Sequence, residues 1–211
     1  MMKKIVFAGL LLLLGTSAFA QDYSKVEISG NYSYFRFHPQ NANILGNYSF
    51  NGGGGAATFF LTSMIGIKGE LEGYSSIRHS FNITNPGICD SETGTCAGSA
   101  KGNLFTYNVG PEFKLRMGKF EPFAEALFGG AHSNVNGNLA TGCTGCFIQK
   151  SPNNNAFDFI IGGGFDIAVS KSIAIRPVEL DYVLTRFGNG FTNGNNNQSN
   201  LRYQGGVVFR F

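Results

Sequence analysis

The sequence predicts an all-β chain, an eight-stranded antiparallel up-and-down transmembrane β-barrel with short periplasmic turns and long outer loops. Three observations carry that expectation. Apolar and polar residues alternate with period two in one segment after another. The connections between those segments alternate between very short and long. The acids concentrate on the segments, with few in the connections: Glu27, Glu70, Glu72, Glu112, Glu121, Glu125, Asp158, Asp166, Glu179 and Asp181 all fall on strand positions, out of 13 acids in the chain.

Composition narrows the class further. The chain has 211 residues, 43% of them hydrophobic and 14% charged, where roughly 25% charged is usual for a soluble domain. So apolar a chain, with ordered periodicity, is not a disordered one. Beyond the first twenty residues no apolar run approaches the about 20 residues of a membrane helix, so a membrane would have to be crossed by strands.

The chain opens on a leader pattern. Lys3 and Lys4 precede an apolar stretch from Ile5 to Leu14, and Ala18-Phe19-Ala20 is a small-x-small cleavage site. Residues 1–20 are therefore expected to be a signal peptide, and 21–211 a single barrel domain. Without Lys3 and Lys4 the bases outnumber the 13 acids by one, a balance that implies no nucleic-acid partner. Export makes disulfides the expected state of Cys89, Cys96, Cys143 and Cys146. Three pairings are open. The local one, Cys89 with Cys96 and Cys143 with Cys146, is the simplest. The Cys143-Thr144-Gly145-Cys146 spacing lacks the βαβ context of a redox motif.

Taken in order, the expected strands span 24–37, 52–61, 65–76, 102–116, 120–131, 156–169, 173–184 and 200–211. In the third, Ile65, Ile67, Gly69 and Leu71 oppose Gly66, Lys68, Glu70 and Glu72. In the fourth, Phe105, Tyr107, Val109 and Phe113 oppose Thr106, Asn108, Glu112 and Lys114. The seventh breaks phase, and a bulge at Arg176-Pro177 would restore it. In the last, Leu201, Tyr203, Val207, Phe209 and Phe211 share one face. Thr62-Ser63-Met64, Met117-Gly118-Lys119 and Ser170-Lys171-Ser172 are tight turns, and segments 38–51, 77–101, 132–155 and 185–199 are long and rich in Asn, Gly, Ser and Thr.

A soluble barrel would turn its apolar face inward; a membrane barrel turns it outward. An eight-stranded barrel has room inside only for side chains. Enclosed there, Lys68, Glu70, Glu72, Glu112, Lys114, Arg116, Glu125, Asp158, Asp166, Arg176, Glu179, Asp181, Arg202 and Arg210 are expected to form an ion-pair network that plugs the lumen. With ten acids against six bases on that face, negative charge is left over. The outward aromatic residues, among them Tyr32, Tyr34, Phe105, Tyr107 and Tyr203, read as a membrane girdle, with no polar convergence to suggest a ligand stripe. Arg36 stands out of pattern beside Tyr34, where it reaches either lipopolysaccharide phosphates outside or the lumen inside.

These features together, with the closing run Gly205-Gly206-Val207-Val208-Phe209-Arg210-Phe211, resemble the small bacterial outer-membrane β-barrels of the OmpA transmembrane-domain type. The stretches Val109-Gly110-Pro111-Glu112-Phe113 and Phe128-Gly129-Gly130-Ala131-His132 resemble the same broad family. The resemblance covers the barrel alone, so cell-wall anchorage is not carried over. It implies the bacterial outer membrane as location and lipid and lipopolysaccharide as surroundings. It also implies that Tyr203, Val207, Phe209 and Phe211 form the sorting signal read by the barrel-assembly machinery.

The functional expectation is a monomeric, non-enzymatic structural or interaction protein whose outer loops recognise a surface ligand, with no cofactor and no metal. A porin-like small-solute channel is the alternative, and a lipid A-modifying enzyme the next. The enzyme would use His132 and Ser133, but neighbours on a strand face opposite ways.

Overall fold

The computed structural model describes residues 23–37, 48–76, 79–84, 95–140, 154–186 and 197–211. They form nine strands: β1 (Val26–Phe37), β2 (Tyr48–Phe60), β3 (Ile65–Ser76), β4 (His79–Thr84), β5 (Thr95–Lys114), β6 (Phe120–Ala140), β7 (Asn154–Ala168), β8 (Ile173–Arg186) and β9 (Asn197–Arg210). Each sequential pair that forms a ladder is antiparallel, and β1 also pairs with β9. Both β3 and β4 pair with β5, β3 through Ser75↔Asn103 and β4 through His79↔Ala100. β4 therefore continues β3 along the same edge, and the sheet closes as a barrel of eight staves.

The turns follow from local chemistry. At the β2–β3 turn the Thr62 hydroxyl accepts from the Met64 and Ile65 amides at 3.3 and 3.0 Å. At the β7–β8 turn Ser170 does the same for Ser172 and Ile173 at 3.3 and 3.1 Å. Between β5 and β6, Gly118 takes φ 70° while the Met117 and Phe120 amides exchange bonds with each other's carbonyls. A glycine at the first central position is what a type II′ hairpin turn requires. These three short turns lie at the same end of the barrel as the Val26–Phe211 backbone pairing.

The structure departs from the sequence expectation at the other end. β5 has 20 residues and β6 has 21, paired from Ala97↔Ala140 onward, and β4 lies inside a segment expected to be loop. Asn, Gly and Ser dominate there, so the composition reads as loop. A hairpin needs no apolar face above a membrane, because its backbone bonds alone carry the ladder.

Two register shifts bend the wall, at Phe165/Ile167 between β7 and β8 and at Arg176/Glu179 between β8 and β9. The second lies where Pro177 cannot donate. The Tyr203 hydroxyl donates to the Pro177 carbonyl at 3.0 Å on the outside, supplying a bond the ladder has lost.

The polarity is inverted relative to a water-soluble barrel. Ile28, Ile67, Leu71, Tyr107, Phe128, Ile161, Leu180, Val207 and Phe209 are exposed on the outer wall, while Glu70, Glu72, Lys114, Asp166, Glu179 and Arg202 are buried inside. The interior has two tiers. The charged tier lies toward the short turns. Toward the outer end of the strands lies an apolar cluster of Phe35, Tyr74, Leu104, Leu127, Ala131, Ala156, Ile160 and Val183.

Candidate functional site in the lumen

Alternation on seven strands aims the charged side chains inward, and the narrow barrel brings them within contact. Close to the short turns, Lys114 on β5 bonds Glu27 of β1 and Asp166 of β7, the latter at 2.9 Å, with Glu112 at 3.3 Å. Arg210 on β9 contacts Glu121 at 2.7 Å and Glu27 at 3.6 Å. Arg116, just past the end of β5, contacts Glu27 at 3.1 Å and Glu121 at 3.8 Å. Its guanidinium lies over the Phe60 ring at 4.6 Å, so cation and ring together cover this mouth.

Arg176, the residue beside the bulge, turns inward and links this group to the next. Its Nε lies 2.7 Å from Asp166 and its Nη1 2.9 Å from Glu179, with Phe123 under the guanidinium at 4.1 Å. Higher up, Lys68 on β3 reaches Glu125 at 2.7 Å, Glu179 at 3.0 Å and Glu70 at 3.5 Å. Oxygens of those three glutamates lie within 4.8 Å of one another, which is metal-ligand spacing, and the Lys68 ammonium sits among them. Arg202 on β9 closes the network on Glu70 at 2.5 Å and Asp181 at 2.8 Å. Glycines make the room: a Cβ at Gly162 would collide with Asp181 Oδ1, and one at Gly54 would lie 2.7 Å from Glu72 Oε1.

Two of the inward acids stand apart from the bases. Among the described residues, Glu72 and Asp158 have no base within ion-pair distance. Glu72 accepts from the Asn31 amide at 2.7 Å and Asp158 from Asn108 at 3.2 Å. Glu72 Oε2 and Asp158 Oδ1 are buried without a partner. These two lie where the charged tier gives way to the apolar one.

All fourteen lumen residues expected from the sequence therefore line the interior or its lower mouth, and twelve of them, Glu72 and Asp158 aside, meet an opposite charge. Glu27 and Glu121 take part with them. The apolar tier was not expected, although its signal was present: Phe35, Leu104, Leu127, Ile160 and Val183 share the parity of Ser33, Thr106, Glu125, Asp158 and Asp181. Tyr203, Val207, Phe209 and Phe211 face outward. Arg36 is exposed on the outer wall. His132 and Ser133 part company: Ser133 is buried in the lumen, whereas His132 lies on the outer wall with Nδ1 2.7 Å from Asn155 Oδ1. Cys89, Cys143, Cys146 and residues 1–20 lie outside the described residues, and Cys96 is described only as a backbone position on β5.

No protein-family model matches the sequence, and no curated protein matches it. Solved structures do match. Neisserial surface protein A is 10% identical, with 90% of this chain and 100% of that one aligned at a TM-score of 0.56. Ail, the attachment invasion locus protein of Yersinia pestis, is 12% identical over 90% and 99% of the two chains at a TM-score of 0.53. Its complex with the heparin analogue sucrose octasulfate aligns at 14% identity, with the same coverage and TM-score. The fold is that of a small outer-membrane β-barrel. An apolar belt around a charged interior puts such a barrel across a bilayer, and the bacterial outer membrane is the bilayer that houses barrels of this kind.

Proposed function

We propose that the protein is a monomeric, non-enzymatic structural and recognition barrel of the outer membrane, whose filled lumen holds a rigid wall from which the outer loops meet ligands at the cell surface. One observation carries the reading: Lys68, Lys114, Arg116, Arg176, Arg202 and Arg210 each contact two or three acids across the interior. Side chains tied in this way from opposite walls would block a continuous water path. An apolar tier above them adds a second obstruction.

Lipopolysaccharide surrounds the outer half of the belt, and Arg36 pairs with its phosphates. The assembly machinery reads Tyr203, Val207, Phe209 and Phe211. Cys89, Cys96, Cys143 and Cys146 tie the outer loops by disulfides. The placement of His132 and Ser133 on opposite faces supports a non-enzymatic role. A barrel of this fold has been found in complex with sucrose octasulfate, in keeping with ligand recognition as a role open to the fold.

Planar-bilayer recording of the purified protein tests the plug. The expected trace is flat; clear ohmic steps would overturn the reading in favour of a channel. Cell fractionation with boiled and unboiled gel samples tests the location, the folded barrel running faster unboiled.

A further inference from the structure

We propose that the outer wall carries a seat for one outer-leaflet glycolipid of the lipid A class, an acylated and phosphorylated glucosamine. The sugar would rest on a row of polar residues and one acyl chain in the gap below it. This rests on the outer-membrane residence proposed above and goes beyond the general lipid contact of any such barrel.

The seat is a cavity of about 480 Å³ whose lining includes Asn51, Gly73, Ser75, Asn103, Phe105 and His132. The polar convergence that the linear sequence does not display arises from strand register. Asn51 pairs with Ser75, Ser75 with Asn103, and Asn103 with Asn134. Four small polar residues from β2, β3, β5 and β6 thus make one row across the outer wall. The next row toward the short turns runs Gly53, Gly73, Phe105, His132 by the same pairings. Below that come Leu71 and Tyr107, both exposed in the apolar belt. Polar groups above and hydrocarbon-facing groups beneath match an amphiphile, not a water-soluble ligand.

The gap itself is at Gly73. A Cβ there would meet only the Gly53 carbonyl, at 3.9 Å, so the wall is bare between exposed Tyr32 and Phe105. The groups above it are held in place. The Tyr32 hydroxyl donates to Asn51 Oδ1 at 2.9 Å, and His132 Nδ1 donates to Asn155 Oδ1 at 2.7 Å. Carboxamides, a hydroxyl and an imidazole suit sugar hydroxyls and amide-linked acyl groups. Exposed Arg36, paired with Ser49 just beyond Asn51, supplies the cation for a sugar phosphate.

The test places the full chain in phosphatidylcholine nanodiscs doped with equal amounts of lipid A and phosphatidylglycerol, and reads retained lipid by native mass spectrometry. The expected spectrum shows one lipid A retained and no phosphatidylglycerol. Gly73→Leu fills the gap and should cut retention about tenfold, equivalent to about 1.4 kcal/mol. Asn103→Ala, a truncation at an exposed position, should weaken it in the same direction. Gly69→Leu is the control. It faces outward on the same strand, outside the cavity lining, with nothing near its Cβ, and should leave retention unchanged. Equal retention of both lipids, no loss in Gly73→Leu and Asn103→Ala, or an equal loss in Gly69→Leu would each overturn the seat. A barrel that fractionates with the outer membrane yet retains no lipid A loses this inference alone; one that fails to fractionate there loses the residence it rests on.

Discussion

The two tiers of the lumen occupy the same narrow barrel and solve the problem of filling it in different ways. Toward the short turns, Lys68, Lys114, Arg176, Arg202 and Arg210 are packed among carboxylates, each cation answering acids from more than one strand. Toward the outer end, Phe35, Tyr74, Leu127, Ile160 and Val183 touch one another as in any protein core. The charged tier holds together only as a set, because each group left without its partner is a buried charge. The apolar tier is made of nearly independent contributions, each worth the surface and volume it fills. One tier therefore gives specificity of register around the barrel, and the other gives ordinary packing stability.

The largest expected effect comes from breaking the charged tier at its centre. Lys68→Met leaves Glu70, Glu125 and Glu179 facing one another and should cost about 4 kcal/mol in urea unfolding from micelles. Pairing it with Glu125→Gln should recover part of that loss; a double variant less stable than the single one would mean that the tier is not a set. Leu127→Ala, fully buried in the apolar tier, should cost about 3 kcal/mol. Combined with Ile160→Ala, its cross-strand partner, it should come closer to additivity than the Lys68 pair does. Tyr203→Phe sets the scale outside both tiers. It removes the outer-wall bond to the Pro177 carbonyl and should cost about 1 kcal/mol, with the bilayer trace still flat. Conductance appearing in Lys68→Met but not in Leu127→Ala would assign the barrier to the charged tier, and the reverse would assign it to the apolar one.

The sequence made the barrel legible because its strands carry period two strictly where lipid lies outside and ions inside. Ile67, Lys68, Gly69 and Glu70 show it residue by residue. It was less informative wherever one of those two environments ends. Asn103 and Asn134 face outward above the belt, so nothing in their chemistry distinguishes a strand from a loop, and only pairing reveals β5 and β6 there. Inside, Leu104, Leu127 and Ile160 keep inward parity while changing character, so a pattern of charge does not mark them. The bulge at Arg176-Pro177 was visible because a phase break and a proline coincide. Which acid meets which base was not, since Lys68 and Glu179 stand 111 positions apart and their meeting depends on the stagger of closed strands.

The pairing of β1 with β9 has a consequence for the order of assembly. Each hairpin from β2 onward can zip to its predecessor while the chain is still being laid down, with short separations to bridge. β1 alone must keep its second row of amides and carbonyls waiting for a partner nearly a full chain length away, from Glu27↔Arg210 to Arg36↔Leu201. Until that seam shuts, the sheet has two raw edges, each a template for a neighbouring chain. Aggregation of an arrested intermediate should therefore begin at the seam, and a short peptide copying residues 201–210 should stall closure by occupying it.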